Sequence, residues 1–207
     1  MNIKQLAILL GLAVALAACA TDVDDDGDTS TTEQDLSTNQ RVAFHYFVNK
    51  GLTRRQSAGI VGNLIQESSV IPTAVQFGGG PGRGIAQWSV GGRWDHTFHD
   101  NNVWYANAHG ASRWSLNEQL GFIWYELHGV GGYGLSALRK TTTIRGATLV
   151  FERDYEICGT CDATQRIEYA RQVYNAFAGT GREIDVDDEL IDAEEPCDGD
   201  GDDPGVE

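Results

Sequence analysis

Apolar and polar residues alternate with the period of an amphipathic helix over most of the chain between residues 37 and 179. Four of the apolar stripes follow a helix-capping pattern, in which Ser, Thr or Asp precedes Gln or Glu by three residues. These pairs are Ser37 with Gln40, Thr53 with Gln56, Ser115 with Glu118, and Asp162 with Gln165. The pattern predicts helices over roughly 38–50, 54–69, 116–128, 143–156 and 163–178, with a short helical turn at 135–140. The predicted fold class is therefore all-α, with at most minor irregular or β content.

The second predicted helix ends with a carboxylate on its apolar side. Ile60, Leu64 and Glu67 share one helical face at i, i+4 and i+7, where the periodicity calls for a third core residue. Apolar surroundings favour the protonated form of a carboxyl group, which is the form that a general acid needs. The alternative is a structural ion pair between Glu67 and an arginine. Gly59 and Gly62 weaken the same helix and so predict close packing of another segment or of a ligand.

A glycine-rich loop, residues 77–88, follows this helix and ends in Gln87-Trp88. It lacks the G-x-x-x-x-G-K-[ST] sequence of a phosphate cradle, so its glycines predict close approach of the backbone to a bulky substrate. His96-x-x-His99 has ligand spacing but neither the H-E-x-x-H order nor a third ligand, and no metal or cofactor is expected. The stretch 91–114 is irregular and holds aromatic residues that suit either sugar rings or a core. They are Trp94, Phe98, Trp104, Tyr105 and Trp114.

The charge of the chain is unevenly distributed. The formal net charge is -15, but 20 of the 30 acidic residues lie in 20–35 and 183–207, which contain no Lys or Arg. The segment 36–182 holds 14 basic and 10 acidic residues and is mildly basic. Such a domain can associate with a polyanionic cell wall, and the acidic tails are expected to be disordered. No basic run interleaved with aromatics predicts nucleic-acid binding, and a monomer is expected.

The first 18 residues have the pattern of an export signal, with Lys4 before a short apolar run that is too short to span a bilayer. Leu16-Ala17-Ala18-Cys19 resembles the lipobox of bacterial lipoproteins, which implies lipidation of Cys19 and a lipid-anchored location in the cell envelope. Because Ala20 rather than Asp follows the cysteine, the resemblance favours delivery to an outer membrane in a cell that has one. The alternative is an ordinary signal peptide with an incidental cysteine. The predicted organisation is a signal peptide at 1–18, an acidic tether at 19–36, one domain at 37–181 and an acidic tail at 182–207.

Two further motifs are interpreted as structural features rather than as functional sites. The segment 22–33 fits the D-x-D-x-D-G-x-x-x-x-x-E calcium-loop pattern, but no amphipathic helix precedes it, so we interpret it as tether rather than a calcium site. Cys158-Gly-Thr-Cys161 joins the last two predicted helices, and a local disulfide is the expectation for an exported protein. Cys197 is left over in the acidic tail. It is free, forms an intermolecular bridge, or replaces one partner of the pair.

Several motifs together resemble the phage tail lysozyme family. They are Lys50-Gly51-Leu52-Thr53, the run from Ala58 to Leu64 followed by Gln66-Glu67-Ser68, then Gly84-Ile85-Ala86-Gln87-Trp88, and Arg93-Trp94. The order of Glu67-Ser68 and Gly84-Ile85-Ala86-Gln87 is also similar, more distantly, to goose-type lysozymes and lytic transglycosylases. The resemblance implies a lysozyme-like helical domain. It further implies cleavage of the β-1,4 bond between N-acetylmuramic acid and N-acetylglucosamine in peptidoglycan.

The resemblance also assigns roles to single residues. Glu67 corresponds to the family's catalytic acid, Ser68 to the neighbour that supports it, and Gln87 and Trp88 to groove residues that position the sugar. Trp94, Tyr125 and Glu126 are further candidates for substrate contact. The chain departs from the family pattern at 69–72, where relatives usually have a Gly and a polar residue before the proline.

A second catalytic carboxylate is not identifiable from the sequence. Asp95 and Glu126 are the candidates, whereas Glu152 and Glu156 are interpreted as members of structural ion pairs. Related enzymes with a single glutamate use substrate assistance or close a 1,6-anhydro ring, so a hydrolase and a lytic transglycosylase both stay open. The alternative to an enzyme is a non-catalytic peptidoglycan-binding lipoprotein on the same fold.

Overall fold

A computed structural model of the protein describes residues 36–96, 98–129, 133–158 and 161–179. The signal peptide, Cys19, the 22–33 motif, Cys197 and the acidic tail lie outside the described residues. Within them the chain forms seven α-helices and one antiparallel pair of two-residue strands. The helices are α1 (Thr38–Asn49), α2 (Arg54–Ser68), α3 (Asn102–Ala108), α4 (Leu116–His128), α5 (Leu135–Leu138), α6 (Ile144–Phe151) and α7 (Ala163–Phe177). The strands are β1 (Gly82–Arg83) and β2 (Trp88–Ser89), so the predicted mostly helical fold class is confirmed.

Short-range capping bonds define the starts of several helices. Ser37 and Gln40 bond reciprocally at the start of α1, and Thr53 and Gln56 do the same for α2. The Ser115 side chain makes no capping bond, so that predicted box is wrong although α4 begins where expected. Its partner in the pattern, Glu118, instead lies 3.3 Å from Nδ1 of His109, the residue that directly follows α3. A tertiary contact therefore replaces the local one.

The predicted helix 143–156 is two elements. α6 ends at Phe151, and residues Glu152–Glu156 continue it as a π-helical turn, called the π segment below. A π-helical turn adds a residue to the helical repeat and so redirects the side chains that follow. Helix α3 was not predicted and lies in the stretch expected to be irregular. In the part of the chain that the structure covers, no helix is long and apolar enough to cross a membrane.

Helix α2 lies at the centre of the domain and packs most extensively against α7 and α6. Gly59 and Gly62 make this packing possible, as predicted. A Cβ atom added to Gly59 would lie 2.7 Å from Cβ of Ala147, and one added to Gly62 would lie 2.6 Å from the carbonyl oxygen of Arg166. Non-bonded atoms do not approach so closely without repulsion, so only glycine lets the backbone of α2 lie against α6 at Gly59 and against α7 at Gly62.

Replacing Gly62 with alanine is therefore expected to destabilise the protein, even though alanine favours a helix. The added methyl meets backbone atoms of α7, and overpacking of this kind typically costs about 1–3 kcal/mol. Urea unfolding followed by circular dichroism measures the change. Gly92→Ala is the matched control, because its Cβ would lie 3.4 Å from the nearest atom, an ordinary contact. Equal stability of the two variants would contradict this account of the α2–α7 packing.

One side chain holds the segment between α2 and α3 against α4. The buried Gln119 accepts a hydrogen bond from the backbone nitrogen of Ile85 at 2.9 Å. It also donates to the carbonyl oxygens of Pro72 and Arg113, both at 2.8 Å. The Gln119 amide thus binds the loops that contain Pro72, Ile85 and Arg113. These hydrogen bonds fix the position of the glycine-rich loop relative to the end of α2. That position shapes the site described next.

Candidate active site

Glu67 lies in the last turn of α2, beside a cavity of about 740 Å³. Directly after the helix, Ser69 and Val70 both adopt the left-handed conformation, with φ of 55° and 59°. This conformation is uncommon for any residue except glycine and a clear outlier for a β-branched one. It persists here because Val70 is fully buried and its carbonyl oxygen accepts a hydrogen bond from Asn39. The helix thus ends abruptly, and Glu67 stands at the edge of an open space.

An ion pair with Arg166 holds the Glu67 carboxylate in position. Nη2 of Arg166, on α7, lies 2.5 Å from Oε1 of Glu67. Arg166 is 4% exposed, and its Nη1 also donates to Oδ1 of Asn63 at 3.0 Å. Its Nε lies 3.4 Å from Oε2 of Glu152, so one guanidinium is shared between two carboxylates. The ion pair with an arginine that was the alternative interpretation of Glu67 is therefore present in the structure. The Glu67 side chain is nevertheless 21% exposed and lines the cavity.

Ser68 and Gln87 join the end of α2 to the glycine-rich loop. The Ser68 hydroxyl donates to the carbonyl oxygen of Ile85 at 2.8 Å, which fixes the loop against the helix. Gln87 has a φ of 48°, and its Nε2 donates to the carbonyl oxygen of Gly84 at 2.9 Å. Both side chains line the same cavity as Glu67. The structure therefore brings together three of the residues predicted for the site.

The sequence profile of the phage tail lysozyme family matches residues 38–177. The match covers more than half of the chain, from α1 to the end of α7, and includes Glu67, Ser68 and Gln87. The chain belongs to the phage tail lysozyme family. No curated protein matches the sequence.

In this phage tail lysozyme family member, Trp88 and Trp94 lie in the core rather than in the groove. They are 2% and 3% exposed, with ring centroids 6.4 Å apart. The indole nitrogen of Trp88 donates to the Tyr155 hydroxyl at 3.2 Å. The prediction that these two side chains contact a sugar does not hold in this structure, because neither presents a ring face to solvent. Trp88, the last residue of the glycine-rich loop, and Trp94 instead pack in the hydrophobic core.

Glu126 is also internal. Arg93 binds it through two hydrogen bonds, from Nε to Oε1 at 2.7 Å and from Nη2 to Oε2 at 2.8 Å. The Tyr155 hydroxyl donates to Oε2 at 2.5 Å, and Glu126 is 3% exposed. Burial and the adjacent Glu126 carboxylate raise the pKa of Tyr155 well above its usual value, which keeps the hydroxyl available as a donor. Glu126 is thus held by three donors and does not line the cavity of Glu67, contrary to its predicted role as second carboxylate.

Asp95 and Tyr125 are likewise separate from that cavity. Oδ1 of Asp95 accepts a hydrogen bond from the backbone nitrogen of Gly91 at 2.7 Å, and Asp95 lines another cavity of about 560 Å³ together with Phe98. The Tyr125 hydroxyl donates to Asp100 at 2.5 Å. This hydrogen bond and, to a smaller extent, burial raise the pKa of Tyr125. The structure therefore does not place Asp95, Tyr125 or Glu126 in the space that Glu67 faces.

Glu156, at the end of the π segment, is a further carboxyl group on which the charge of Glu67 acts. Its Oε1 is shielded from solvent and has no hydrogen-bond partner among the described residues. Burial, and after it the negative charge of Glu67, raise the pKa of Glu156 to about 8, against the lowering effects of Arg93 and Arg166. Glu152 does form the ion pair expected of it, with Arg166, but Glu156 forms none in the described part of the chain. The sequence signal for Glu156 was only its spacing of four from Glu152 on one predicted helix.

Cys158 and Cys161 form the expected local disulfide, and Cys158 lines the cavity of Glu67. The two sulfur atoms and a carboxylate oxygen of Glu152 lie within 4.8 Å of one another. This is the one group of three metal-type ligands among the described residues, and it does not include His96 or His99. Thiolates are the form in which cysteines bind metals, and the sulfur atoms of Cys158 and Cys161 are instead joined in a disulfide.

Proposed function

We propose that this protein is a peptidoglycan-cleaving glycosidase in which Glu67 donates a proton to the oxygen of the broken bond. The observation that carries the proposal is the position of Glu67, at the end of a rigid buried helix and open to the 740 Å³ cavity. Membership of the phage tail lysozyme family supports the substrate class. We infer that the bond is the β-1,4 linkage between N-acetylmuramic acid and N-acetylglucosamine.

The proposed reaction breaks the bond between the sugar C1 and the glycosidic oxygen, which receives the proton of Glu67. Either water or the 6-hydroxyl of the muramic acid then attacks C1 and returns a proton to the carboxylate. The first route gives a reducing end, and the second gives a 1,6-anhydro sugar. Arg166 contacts only Oε1 of Glu67 and is shared with Glu152. A proton on the remaining oxygen of Glu67 would therefore leave the hydrogen bond from Arg166 to Oε1 in place.

The walls of the cavity have the mixture of groups that a glycan requires. Gln76, Gln87 and Ser89 supply amide and hydroxyl groups, while Val75 and Phe77 supply apolar surface. Phe77, the first residue of the glycine-rich loop, is fully exposed. An exposed phenylalanine beside polar groups suits the apolar face of a sugar ring.

Phe77→Ala is expected to raise KM for peptidoglycan fragments about fivefold while leaving kcat nearly unchanged. The lost aromatic contact corresponds to about 1 kcal/mol of uniform binding. Steady-state kinetics on soluble glycan strands measures both constants. Phe98→Ala is the matched control, because Phe98 is 80% exposed but lines the cavity of Asp95. A larger effect at Phe98 would place the glycan in that other cavity.

The proposal is tested by incubating the purified protein with peptidoglycan sacculi and identifying the released muropeptides by mass spectrometry. Release of fragments ending in muramic acid is expected, and their mass separates the hydrolytic from the anhydro product. Sedimentation of the protein with sacculi, without release of any fragment, would instead favour a non-catalytic peptidoglycan-binding lipoprotein. The mildly basic segment 36–182 is the feature that would support such binding.

We also propose that Cys19 carries a lipid anchor that holds the protein at the cell envelope, based on the lipobox-like sequence Leu16-Ala17-Ala18-Cys19. Metabolic labelling with a fatty acid should mark the wild-type protein in a bacterial host. Cys19→Ser should abolish the label and release the protein from the membrane fraction. Labelling of that variant would contradict the proposed anchor site.

A further inference from the structure

Five exposed cationic side chains lie at one end of the domain. They are Lys50, Arg54, Arg139, Lys140 and Arg145, and we call them the basic face. Gln56, in the first turn of α2, joins that turn to the connection between α5 and α6, because its Nε2 donates to the carbonyl oxygens of Arg139 and Thr141 at 3.2 and 3.1 Å. Arg54 begins α2 and Glu67 lies in its last turn, so about 20 Å of helix separates the face from the proposed acid.

The segments that form this end of the domain contain no acidic residue. The segments 37–66, 127–151 and 169–182 hold nine Lys and Arg and no Asp or Glu, whereas the rest of 36–182 holds all ten acids and five basic residues. None of the five cations of the basic face forms an ion pair with another described residue. Positive charge thus accumulates at one end of the domain, where it repels itself and attracts anions.

The described chain ends beside this face. Helix α7 runs antiparallel to α2, because Arg166 contacts the last turn of α2 and the ring of Tyr174 lies 5.9 Å from Cζ of Arg55, near the start of α2. Gly179, the last described residue, follows shortly after Tyr174. The acidic segment, 183–207, begins four residues after Gly179 and holds 13 acids and no Lys or Arg. Four residues span at most about 14 Å, so the chain brings its most acidic part to its most basic surface.

We propose that the acidic segment binds the basic face of the same molecule. Eight of its 13 acids lie in 183–195, the part closest to α7 in the sequence. A short connection gives the segment an effective concentration on the order of millimolar at the face, an advantage that a separate polyanion lacks. The attraction is electrostatic and acts between exposed groups, so salt weakens it.

Binding of the acidic segment changes the surface that the domain offers to other molecules. With the nine basic residues of the acid-free segments offset, the remaining part of 36–182 is acidic, with ten acids against five basic residues. A polyanion outside the molecule must then displace the segment before it reaches the basic face. The cavity of Glu67 lies at the other end of α2 and stays open, so this inference goes beyond the proposed glycosidase function and does not depend on it.

Cys197 provides a native reporter inside the acidic segment. In the chain from residue 19 onwards, Cys19→Ser leaves Cys197 as the one thiol, since the other two cysteines are bonded to each other. A nitroxide spin label on Cys197 should broaden the amide signals of Arg54 and Lys140 in nuclear magnetic resonance spectra. The broadening should be about threefold or more stronger at about 0.01 M salt than at about 1 M salt, where the Debye length falls from about 30 Å to about 3 Å.

Charge-matched variants of the labelled chain show whether the face and the segment recognise each other. Arg54→Gln combined with Lys140→Gln should reduce the broadening at low salt to its level at high salt. Arg113→Gln combined with Arg153→Gln removes the same charge from exposed positions elsewhere and should leave the broadening unchanged. Amides in place of the eight acids of 183–195 should abolish the salt-dependent part, whereas amides in place of the seven acids of 20–35 should preserve it.

Vesicles of equal parts phosphatidylglycerol and phosphatidylcholine test whether the segment excludes other anions. The chain with amides in 183–195 should bind them about tenfold more tightly than the native chain, and Arg54→Gln with Lys140→Gln should remove the gain. The chain with amides in 20–35 controls for the general loss of negative charge and should gain less. Broadening that neither salt nor Arg54→Gln with Lys140→Gln changes would overturn the inference, and so would equal vesicle binding by the native chain and the chain with amides in 183–195. None of these measurements involves glycan cleavage, so their outcome is independent of the test with sacculi.

Discussion

Glu67→Gln is expected to lower the rate of muropeptide release by about 10² to 10⁴, the usual contribution of a positioned general acid. The amide preserves the size of the side chain but cannot donate a proton of suitable acidity to the glycosidic oxygen. Arg166 keeps its contacts with Asn63 and Glu152 in the variant, so the fold should persist. Mass spectrometry of digested sacculi measures the rate, and thermal unfolding checks the fold.

Glu118→Gln provides the control for this change. Glu118 is a partly exposed helical glutamate paired with His109, and it does not line the cavity of Glu67. Its replacement should leave the rate of release unchanged. Undiminished release by Glu67→Gln would exclude Glu67 as the acid, whereas equal losses in the two variants would point to a general effect on folding.

Arg166→Leu should produce the largest loss of stability among single changes near the site. The guanidinium is 4% exposed and contacts Asn63, Glu67 and Glu152. Removing one partner of a buried ion pair leaves uncompensated charge and typically costs about 3–5 kcal/mol. Chemical unfolding monitored by circular dichroism gives the change in the free energy of unfolding.

The comparison for this experiment is Arg153→Leu. The Arg153 side chain is 66% exposed, and its ion pair with Asp154 lies at the surface. Exposed pairs contribute little, so no measurable change is expected. If Arg166→Leu were as stable as Arg153→Leu, the buried network would not be what fixes Glu67 at the end of α2. In that case helix α2 alone would determine the position of the Glu67 side chain.

The parts of the fold that follow from local rules could be predicted from the sequence. The capping boxes at Ser37 and Thr53 and the disulfide between Cys158 and Cys161 depend on residues three apart, and the structure confirms each. The close packing at Gly59 and Gly62 also follows from a local fact, the presence of glycine inside a helix. Helix α3 escaped prediction because its seven residues give too few turns for a periodic pattern.

The parts of the site that depend on distant contacts could not be predicted in this way. Trp88 lies in a polar-looking loop, and only its packing against Phe122 and its bond to Tyr155 reveal that it is buried. From the sequence, Asp95 and Glu126 are the candidates for the second carboxylate, whereas Glu156 is interpreted as a member of a structural ion pair at a helix end. The electrostatic influence of Glu67 on Glu156 depends on the packing of α2 against α6 and on the π segment. The spacing of residues along one helix does not predict how distant helices pack or where a π segment forms.

The ion pair between Glu67 and Arg166 spans 99 residues of sequence. During synthesis, Glu67 therefore leaves the ribosome long before the guanidinium that fixes it. Contacts of such long range form late in folding, because a long loop must close before they contribute. A chain truncated before α7 would contain Glu67, Ser68 and Gln87 but would lack the support of the carboxylate. Assembly of the proposed catalytic group thus waits for nearly the whole domain.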